Sequence, residues 1–569
     1  MGCTEIYNGW LTLVRGVISM SNPSLKKIIS CLDRKQSFIL EAGAGSGKTW
    51  TLIESLKYLL VRNERELKKR KQGIACITFT NIAKNEISKR IDFNPLVLVY
   101  TIHEYLWSVI KHYPNELKRE IFELNAASKE PIKDLEVVLR NTTLIYSQYG
   151  SNYAEGRLFH EDIIKLSKAL FSKYLKISKI VSSQYPFIFI DEYQDTEKAV
   201  VELLLDGLLM NNIGKITLGF FGDSMQTIYN NGNGKIESPL LETVTKEENY
   251  RCSKEVISLL NKVRINLTQF PAGTNLNGSV SFYHCNGSQN NDVNLKTVQR
   301  HLTEIQGWAE ISKILMLTHK NIANNLNYGQ LIAAYELKGR FGRDRLYNRD
   351  EVFANFMLGK IEYLSTLHGQ ADYGELVSFL GTESCKLAKH SDKEKFQTRM
   401  TELNHLRQNG TIKDVLDFVF TDFLAKPKRI KEFEFSISQD VLDEHSQKNK
   451  KFYDALMQVP YIEVTRLHDF IQESTPFSTK HGVKGAEFDN VLIVIDDSSW
   501  NQYKFDAVFA GDTSKSQYER SLNLFYVCCS RAKNNLSVLF LSDLSSKALG
   551  TANLWFQNRI YSVSELTPK

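Results

Sequence analysis

The octapeptide Ala42-Gly43-Ala44-Gly45-Ser46-Gly47-Lys48-Thr49 has the residue types and spacing needed to hold a chain of phosphates. Glycines let successive backbone N–H groups turn inward on a polyanion, and a helix opening behind the loop adds positive potential. The loop follows the apolar run Phe38-Ile-Leu40 and precedes Leu52, Leu56, Leu59 and Leu60 at helical spacing. That is the strand–loop–helix setting a phosphate loop requires. In it Lys48 reaches the β- and γ-phosphates and Thr49 holds a cation, so ATP and Mg²⁺ are the expected cofactors. A second apolar run, Phe187-Ile-Phe-Ile190, leads straight into Asp191-Glu192. A carboxylate ending a buried strand is costly unless it meets a cation. Alone, the pair could be an acidic loop capping a strand. Beside a phosphate loop, Asp191 reads as the Mg²⁺ partner and Glu192 as the base that orients and deprotonates an attacking water.

Both sites need a rigid frame, and the sequence supplies one. Apolar or β-branched runs recur at Phe38–Leu40, Ile74–Ile77, Phe187–Ile190 and Ile216–Phe221, and again at Val280–Tyr283, Ile314–Leu317, Val491–Ile495 and Leu536–Leu541. Continuous runs of this length predict strands buried on both faces, as in a parallel sheet covered by helices. Such sheets carry their ligands just past the strand carboxyl ends. Two Lys- and Glu-rich stretches without strand signals, about Glu104–Ser183 and Asn325–Val459, keep apolar spacing and read as helical insertions.

Composition agrees with an α/β protein of several domains. The chain has 569 residues, 42% hydrophobic and 24% charged, too long for one growing core. Its 71 Lys and Arg against 65 Asp and Glu give +6, a mild excess that permits a local nucleic-acid groove without demanding one. The 8 cysteines form no C-x-x-C pair, which argues against a zinc ribbon or iron–sulfur cluster and for reduced thiols in a cytoplasmic compartment. The apolar stretch Trp10–Met20, interrupted by Arg15, is too short to span a bilayer, so no membrane partner is expected. Residues 1–19 read as a dispensable extension.

Further motifs stand in a fixed order around these two sites: TFTN at 78, TIHEY at 101, DEYQDT at 191, GDSMQTIY at 222, NYRCS at 249, TKHGVKGAEFD at 479 and LFYVCCSRAK at 524. With AGAGSGKT at 42 they span residues 42–533, and in this order the chain resembles a superfamily 1 helicase of the UvrD/Rep/PcrA kind. The resemblance implies two RecA-like parallel-sheet lobes of the P-loop NTPase type, each with an inserted helical subdomain. It divides the chain into a first lobe at 1–103 and 184–250 with its insertion at 104–183, and a second at 251–324 and 460–569 with its insertion at 325–459. It implies ATP-driven translocation on single-stranded or tailed DNA, 3′ to 5′. Carried over by motif, Gln194 and Gln226 sense the γ-phosphate, Tyr250 stacks on the base, Arg251 and Arg531 reach the γ-phosphate, and Glu487 bonds the ribose. Thr80, Asn81, Thr101, His103, Thr479 and His481 fall at DNA-contacting positions, where short polar side chains near helix starts can meet phosphates without reading sequence. Taken singly, Arg531 could be a solvated helix residue, Tyr250 a core residue, Gln226 a loop amide, and His103 and His481 structural histidines. The basic run Lys68-Lys-Arg-Lys71 could be a DNA patch or a solvated face.

Three departures from the pattern shape the expectations. Asn22-Pro-Ser-Leu-Lys-Lys-Ile-Ile29 lacks the glutamine with which the family reads adenine, which loosens the preference for ATP. Asn231 and Gly232 stand where a Trp-Arg pair usually follows Tyr229, so a stacking platform worth about 1–3 kcal/mol is missing or replaced elsewhere. Beyond Arg531 there is room for about one strand and a short tail, so no appended nuclease is expected. In size and style the chain also resembles the helicase subunit of Gabija-type antiphage defence, which implies an OLD-like nuclease partner. A helicase or translocase is therefore the expected function, in DNA repair or antiphage defence. The alternative is a DNA-stimulated ATPase that acts as a switch for a partner nuclease. A small-molecule kinase fits poorly, having no use for a second lobe carrying Arg531.

Overall fold

The computed structural model describes residues 22–128, 131–147, 150–227, 232–285, 291–316, 319–339, 341–382, 390–439, 443–472, 475–479, 485–498 and 502–566. Met1–Ser281, Gln502–Leu536 and Ser545–Arg559 make one compact unit, and Phe282–Asn501, Ser537–Leu544 and Ile560–Lys569 a second.

The first unit is built on six strands: β1 (Phe38–Ala42), β2 (Ile74–Thr78), β3 (Val97–Thr101), β4 (Phe187–Asp191), β5 (Thr217–Gly222) and β6 (Glu242–Lys246). They lie in the order β3-β2-β4-β5-β1-β6, and every neighbouring pair is parallel. Strands β2, β4 and β5 are buried along their whole length, as their unbroken apolar runs require. On one face Phe38, Leu40, Cys76, Phe189 and Phe221 pack with Leu52, Leu56 and Leu59 of the long helix behind the phosphate loop. On the other, Ile39, Ile77, Ile188 and Ile190 share a core with Leu106, Leu117, Ile121, Ile163 and Leu170 of the first helical stretch.

The helices used below are α1 (Pro23–Asp33), α2 (Lys48–Arg70), α3 (Asn81–Arg90), α4 (Ile102–Ile110), α5 (His160–Lys173), α6 (Leu175–Gln184), α7 (Lys254–Val263) and α8 (Tyr518–Cys529). Residues 104–183 are mainly helical as expected, with one short parallel ribbon pairing Ile145–Tyr146 to Arg157–Leu158.

The second sheet comprises β7 (Ser279–His284), β8 (Lys313–Met316), β9 (Phe477–Thr479), β10 (Phe488–Ile495), β11 (Ala532–Phe540) and β12 (Ile560–Ser562), in the order β9-β8-β10-β11-β7-β12. Its β8–β9, β8–β10 and β7–β12 pairs are parallel. Helices fill the interval from His319 to Ile471, and their apolar faces form the core of the second unit. The division between units runs through β7 and β11, so α8 and the residue that follows its cap, Arg531, belong to the compact unit that carries the phosphate loop. Among the described residues no helix is long and apolar enough to cross a membrane. The described cysteines, among them Cys528 and Cys529, are free and buried. Residues 1–20 and Leu317 lie outside the described set, as do Tyr229, Asn231 and His481.

Candidate active site

Strand order brings three carboxyl ends together. Glu41 is in register with Gly222, and Asp191 with Phe221, so the ends of β1, β5 and β4 lie side by side. The phosphate loop leaves β1 and enters α2 through Gly47, which caps the helix at φ 81°. Gly45 has φ +70°, and a Cβ there would fall 2.7 Å from Arg251 Cβ and 2.9 Å from Asn249 Oδ1. No other residue type meets both demands. The loop is held from several sides. The Ala44 carbonyl accepts from Asn249 Nδ2 and Gln269 Nε2, each at 3.0 Å. The Ala44 N–H donates to the Tyr526 hydroxyl at 3.1 Å, and Tyr250 N–H donates to the Gly45 carbonyl at 3.0 Å.

Inside this cradle Ser46 Oγ, Lys48 Nζ and Asp191 Oδ1 are buried without a hydrogen-bond partner. Buried polar groups are normally satisfied, so two orphan oxygens and an ammonium 3.5 Å from the Glu192 carboxylate, gathered past the ends of β1 and β4, suit a bound group. A triphosphate suits the ammonium and the hydroxyl, and a divalent cation suits the carboxylate. Thr49 stands beside Lys48 in the first turn of α2 and would share such a cation. Two protein oxygens are the usual complement for Mg²⁺, which keeps water and phosphate as its other ligands. Burial, and then the charge of Glu192, push the Asp191 carboxyl up to about 7, with Lys48 opposing. A cation is the missing countercharge.

Glu192 sits at φ 49°, a left-handed conformation that a non-glycine residue adopts only when its surroundings impose it. Its Oε2 lies 3.5 Å from Lys48 Nζ and accepts from Gln194 Nε2 at 2.5 Å. Gln194, wholly buried, accepts in turn from the Asp223 N–H at 3.1 Å, which ties the base to the end of β5. Gln226 is also buried. Its Nε2 donates to Asp223 Oδ2 at 2.8 Å, and its Oε1 lies 3.4 Å from Arg531 Nη2.

Arg531 is 1% exposed, which removes the solvated-helix reading. Its Nε donates to the Val527 carbonyl at 3.0 Å and its Nη2 to Ser530 Oγ at 2.8 Å. Burial and the neighbouring Arg251 lower it to about 10, so it remains charged at neutral pH. Arg251 reaches the Ser530 carbonyl at 3.4 Å. Two guanidiniums brought together, one of them buried, raise the local positive potential, which favours an anion. Tyr250 is 50% exposed beside the loop, which removes the core reading, and Lys246 Nζ lies 5.9 Å from its ring centroid. At the place where the adenine-reading glutamine was missed, Asn22 caps α1 and Ser24 Oγ lies 3.4 Å from the wholly buried Lys246 Nζ.

Sequence reasoning passed over the group that joins these parts. Arg264, at the C-cap of α7, is 1% exposed and forms ion pairs with Asp223 at 2.8 Å and Glu41 at 2.5 Å. Tyr526 of α8 donates to Asp223 Oδ2 at 3.3 Å and stacks under the Arg264 guanidinium. Tyr193 donates to Glu41. The acids Glu41 and Asp223 end adjacent strands, so their sequence positions hinted at a cation, but nothing in the helical pattern of α7 distinguished Arg264 from a solvated C-terminal basic residue.

On the same sheet edge, Thr80 caps α3 and accepts from the Ala83 N–H, while Asn81 opens the helix exposed. Thr101 caps α4 in a reciprocal box with Glu104. His103 has a buried Nε2 with no partner, and its ring packs 4.4 Å from that of His160. Burial and His160 hold it down at about 4, so it is neutral at physiological pH. Phe79 and Ile82, neither of them singled out from sequence, are 45% and 80% exposed there. In the second unit Glu487 is exposed just before β10, and Thr479 ends β9. Gly232 makes an antiparallel bridge to Glu197.

The UvrD/REP helicase N-terminal domain model matches residues 21–145 and 123–247, and the UvrD-like helicase C-terminal domain model matches 282–543. The chain is 27% identical to the Gabija protein GajB of Bacillus cereus (strain HuB5-5), covering 92% of this chain and 95% of that protein. A second GajB, from strain VD045, is 28% identical over 40% of this chain and 46% of its own length. The ATP-dependent DNA helicase PcrA of Staphylococcus aureus (strain Mu50) is 21% identical over 90% of this chain and 82% of its own.

Proposed function

The chain belongs to the UvrD/REP helicase family, and from that premise we propose that it hydrolyses ATP with Mg²⁺ to move along single-stranded DNA in the 3′ to 5′ direction. The observation that carries the proposal is the grouping of Lys48, Asp191, Glu192, Gln226, Arg251 and Arg531 around the adjacent carboxyl ends of β1, β4 and β5, with Lys48 Nζ and Asp191 Oδ1 buried and without a hydrogen-bond partner. Phosphoryl transfer needs in-line positioning and positive charge on the transferred oxygens more than covalent chemistry. Lys48 and the loop N–H groups cradle the triphosphate, and Thr49 and Asp191 would hold Mg²⁺, which would supply countercharge to the phosphates when bound. Glu192, fixed by Gln194, takes the proton of the attacking water. Arg251 and Arg531 offset the charge that develops on the γ-phosphate, and Gln226, bonded to both Asp223 and Arg531, reports its presence to the β5 end. Glu487 is assigned to the ribose. The segmentation into two lobes with insertions at 104–183 and 325–459 is part of the same proposal.

Thr80, Asn81, Thr101, His103, Thr479 and His481 are assigned to the DNA path. The exposed ring of Phe79 beside Thr80 offers a stacking surface, so Phe79→Ala is expected to weaken single-strand binding by about 1–3 kcal/mol. That is roughly five- to 150-fold in Kd, read by fluorescence anisotropy on a labelled oligonucleotide. An unchanged Kd would remove Phe79 from the path.

The near full-length likeness to a Gabija protein supports a second reading of the same motor, as the helicase-type subunit of an antiphage system with an OLD-like nuclease partner. Steady-state ATPase with and without single strands, paired with strand displacement on 3′- and 5′-tailed duplexes, separates the readings. Stimulation with displacement of the 3′-tailed substrate supports the motor. Stimulation without displacement supports a switch that acts through its partner, and no stimulation overturns both.

A further inference from the structure

At the opposite end of the first sheet, where β1, β4 and β5 begin, the first unit has a cavity of about 400 Å³. Its rim takes Lys35 from the turn after α1, Arg70 from the end of α2, Lys179 from α6 and Lys215 from the turn before β5. Arg70 belongs to the basic run that the motor leaves unused. It pairs with Glu66 at 2.9 Å, the one carboxylate in the lining. Lys35, Lys179 and Lys215 form no ion pair among the described residues. The floor is polar as well. Ser182 Oγ donates to Asn212 Oδ1 at 2.9 Å, both residues being nearly inaccessible, and Asn63 Oδ1 is buried with no hydrogen-bond partner.

From four cations around a partly open, hydrogen-bonding cleft, we propose a second ligand site that takes a small phosphorylated molecule of the nucleoside diphosphate class. Cations contributed by four separate segments meet phosphates at the rim. The volume lies in the range of small-molecule sites and exceeds what a bare phosphate needs. The unfilled acceptor of Asn63 requires a donor, which an amino or hydroxyl group of the organic part supplies. The site is distinct from the phosphate loop, because the five residues of β1 separate the two by roughly 16 Å at the rise of a strand.

The test uses the full-length chain carrying Lys48→Ala, which cripples the phosphate loop, titrated with ADP by calorimetry. Binding is expected to persist and to fall about tenfold or more when Lys35→Glu and Lys215→Glu are added, through loss of two charge-assisted contacts. Lys179→Glu alone gives an independent reading should the double change unfold the chain. With Lys48 intact, the rim variants are expected to keep their basal ATPase. Absence of ADP binding in the Lys48→Ala chain overturns the proposal, as does ADP binding that ignores all three rim changes. A 20-nucleotide single strand is titrated alongside. Loss of its affinity with ADP binding unchanged makes the rim a DNA contact and also overturns the proposal.

Discussion

Glu192→Gln is expected to bind ATP normally and to turn it over about a hundred- to ten-thousandfold more slowly, the range a positioned general base contributes. The substitution keeps the size of the side chain and its place beside Lys48, and removes only the capacity to take a proton. The hydrogen bond from Gln194 Nε2 changes partner from a carboxylate to an amide oxygen, so the local geometry has little reason to move. Lys48→Ala is the contrast, since it deletes the ammonium that the triphosphate would meet and should lose turnover together with binding of ATP at the phosphate loop. Nucleotide binding by filter retention and steady-state release of phosphate check the pair. Turnover within tenfold of the parent in Glu192→Gln would assign the base elsewhere.

Arg264→Met is expected to lower the stability of the first unit by about 3–5 kcal/mol, because removing one partner of a buried ion pair strands the others. Asp223 is wholly buried and Glu41 is largely so. Their loss of a cation would be felt at Gln226 and at Tyr526, both of which bond Asp223. ATPase should fall with it, through displaced groups rather than through any contact of Arg264 with substrate. Chemical denaturation of Arg264→Met and of the triple change Arg264→Met, Asp223→Asn, Glu41→Gln separates the two causes. The triple variant should regain much of the stability and little of the activity. Denaturation of Arg264→Met at the parental midpoint would show that the network carries no structural weight.

The strands that the sequence made legible are those buried on both faces. Phe187–Ile190 and Val491–Ile495 are continuous apolar runs, and each is a strand in the sheet interior. Glu242–Lys246 was missed because it lies at the edge of the first sheet and buries only Val244 and Lys246 among polar neighbours. The strand–loop–helix setting of residues 42–49 and the strand-ending position of Asp191 were readable because both follow from backbone geometry within a few residues. Arg264 was not, since its partners lie 41 and 223 residues away in sequence and only the strand order brings them close. The exposure of Phe79 was hidden for a related reason. An aromatic in a strand-ending motif reads as core until neighbouring elements show how much of it stays exposed.

The path of the chain has a consequence for synthesis. The polypeptide leaves the first unit at Ser281 and returns only at Gln502, bringing Tyr526 and Arg531 to a loop made at residues 42–49. Emerging at about 5–20 residues per second, the nascent protein therefore spends tens of seconds with its fuel site lacking an arginine and a clamp. A ribosome-bound or prematurely terminated product would hold the cradle without the charge needed to fire it. Delayed completion would thus act as a safety catch, keeping unfinished copies from consuming nucleotide.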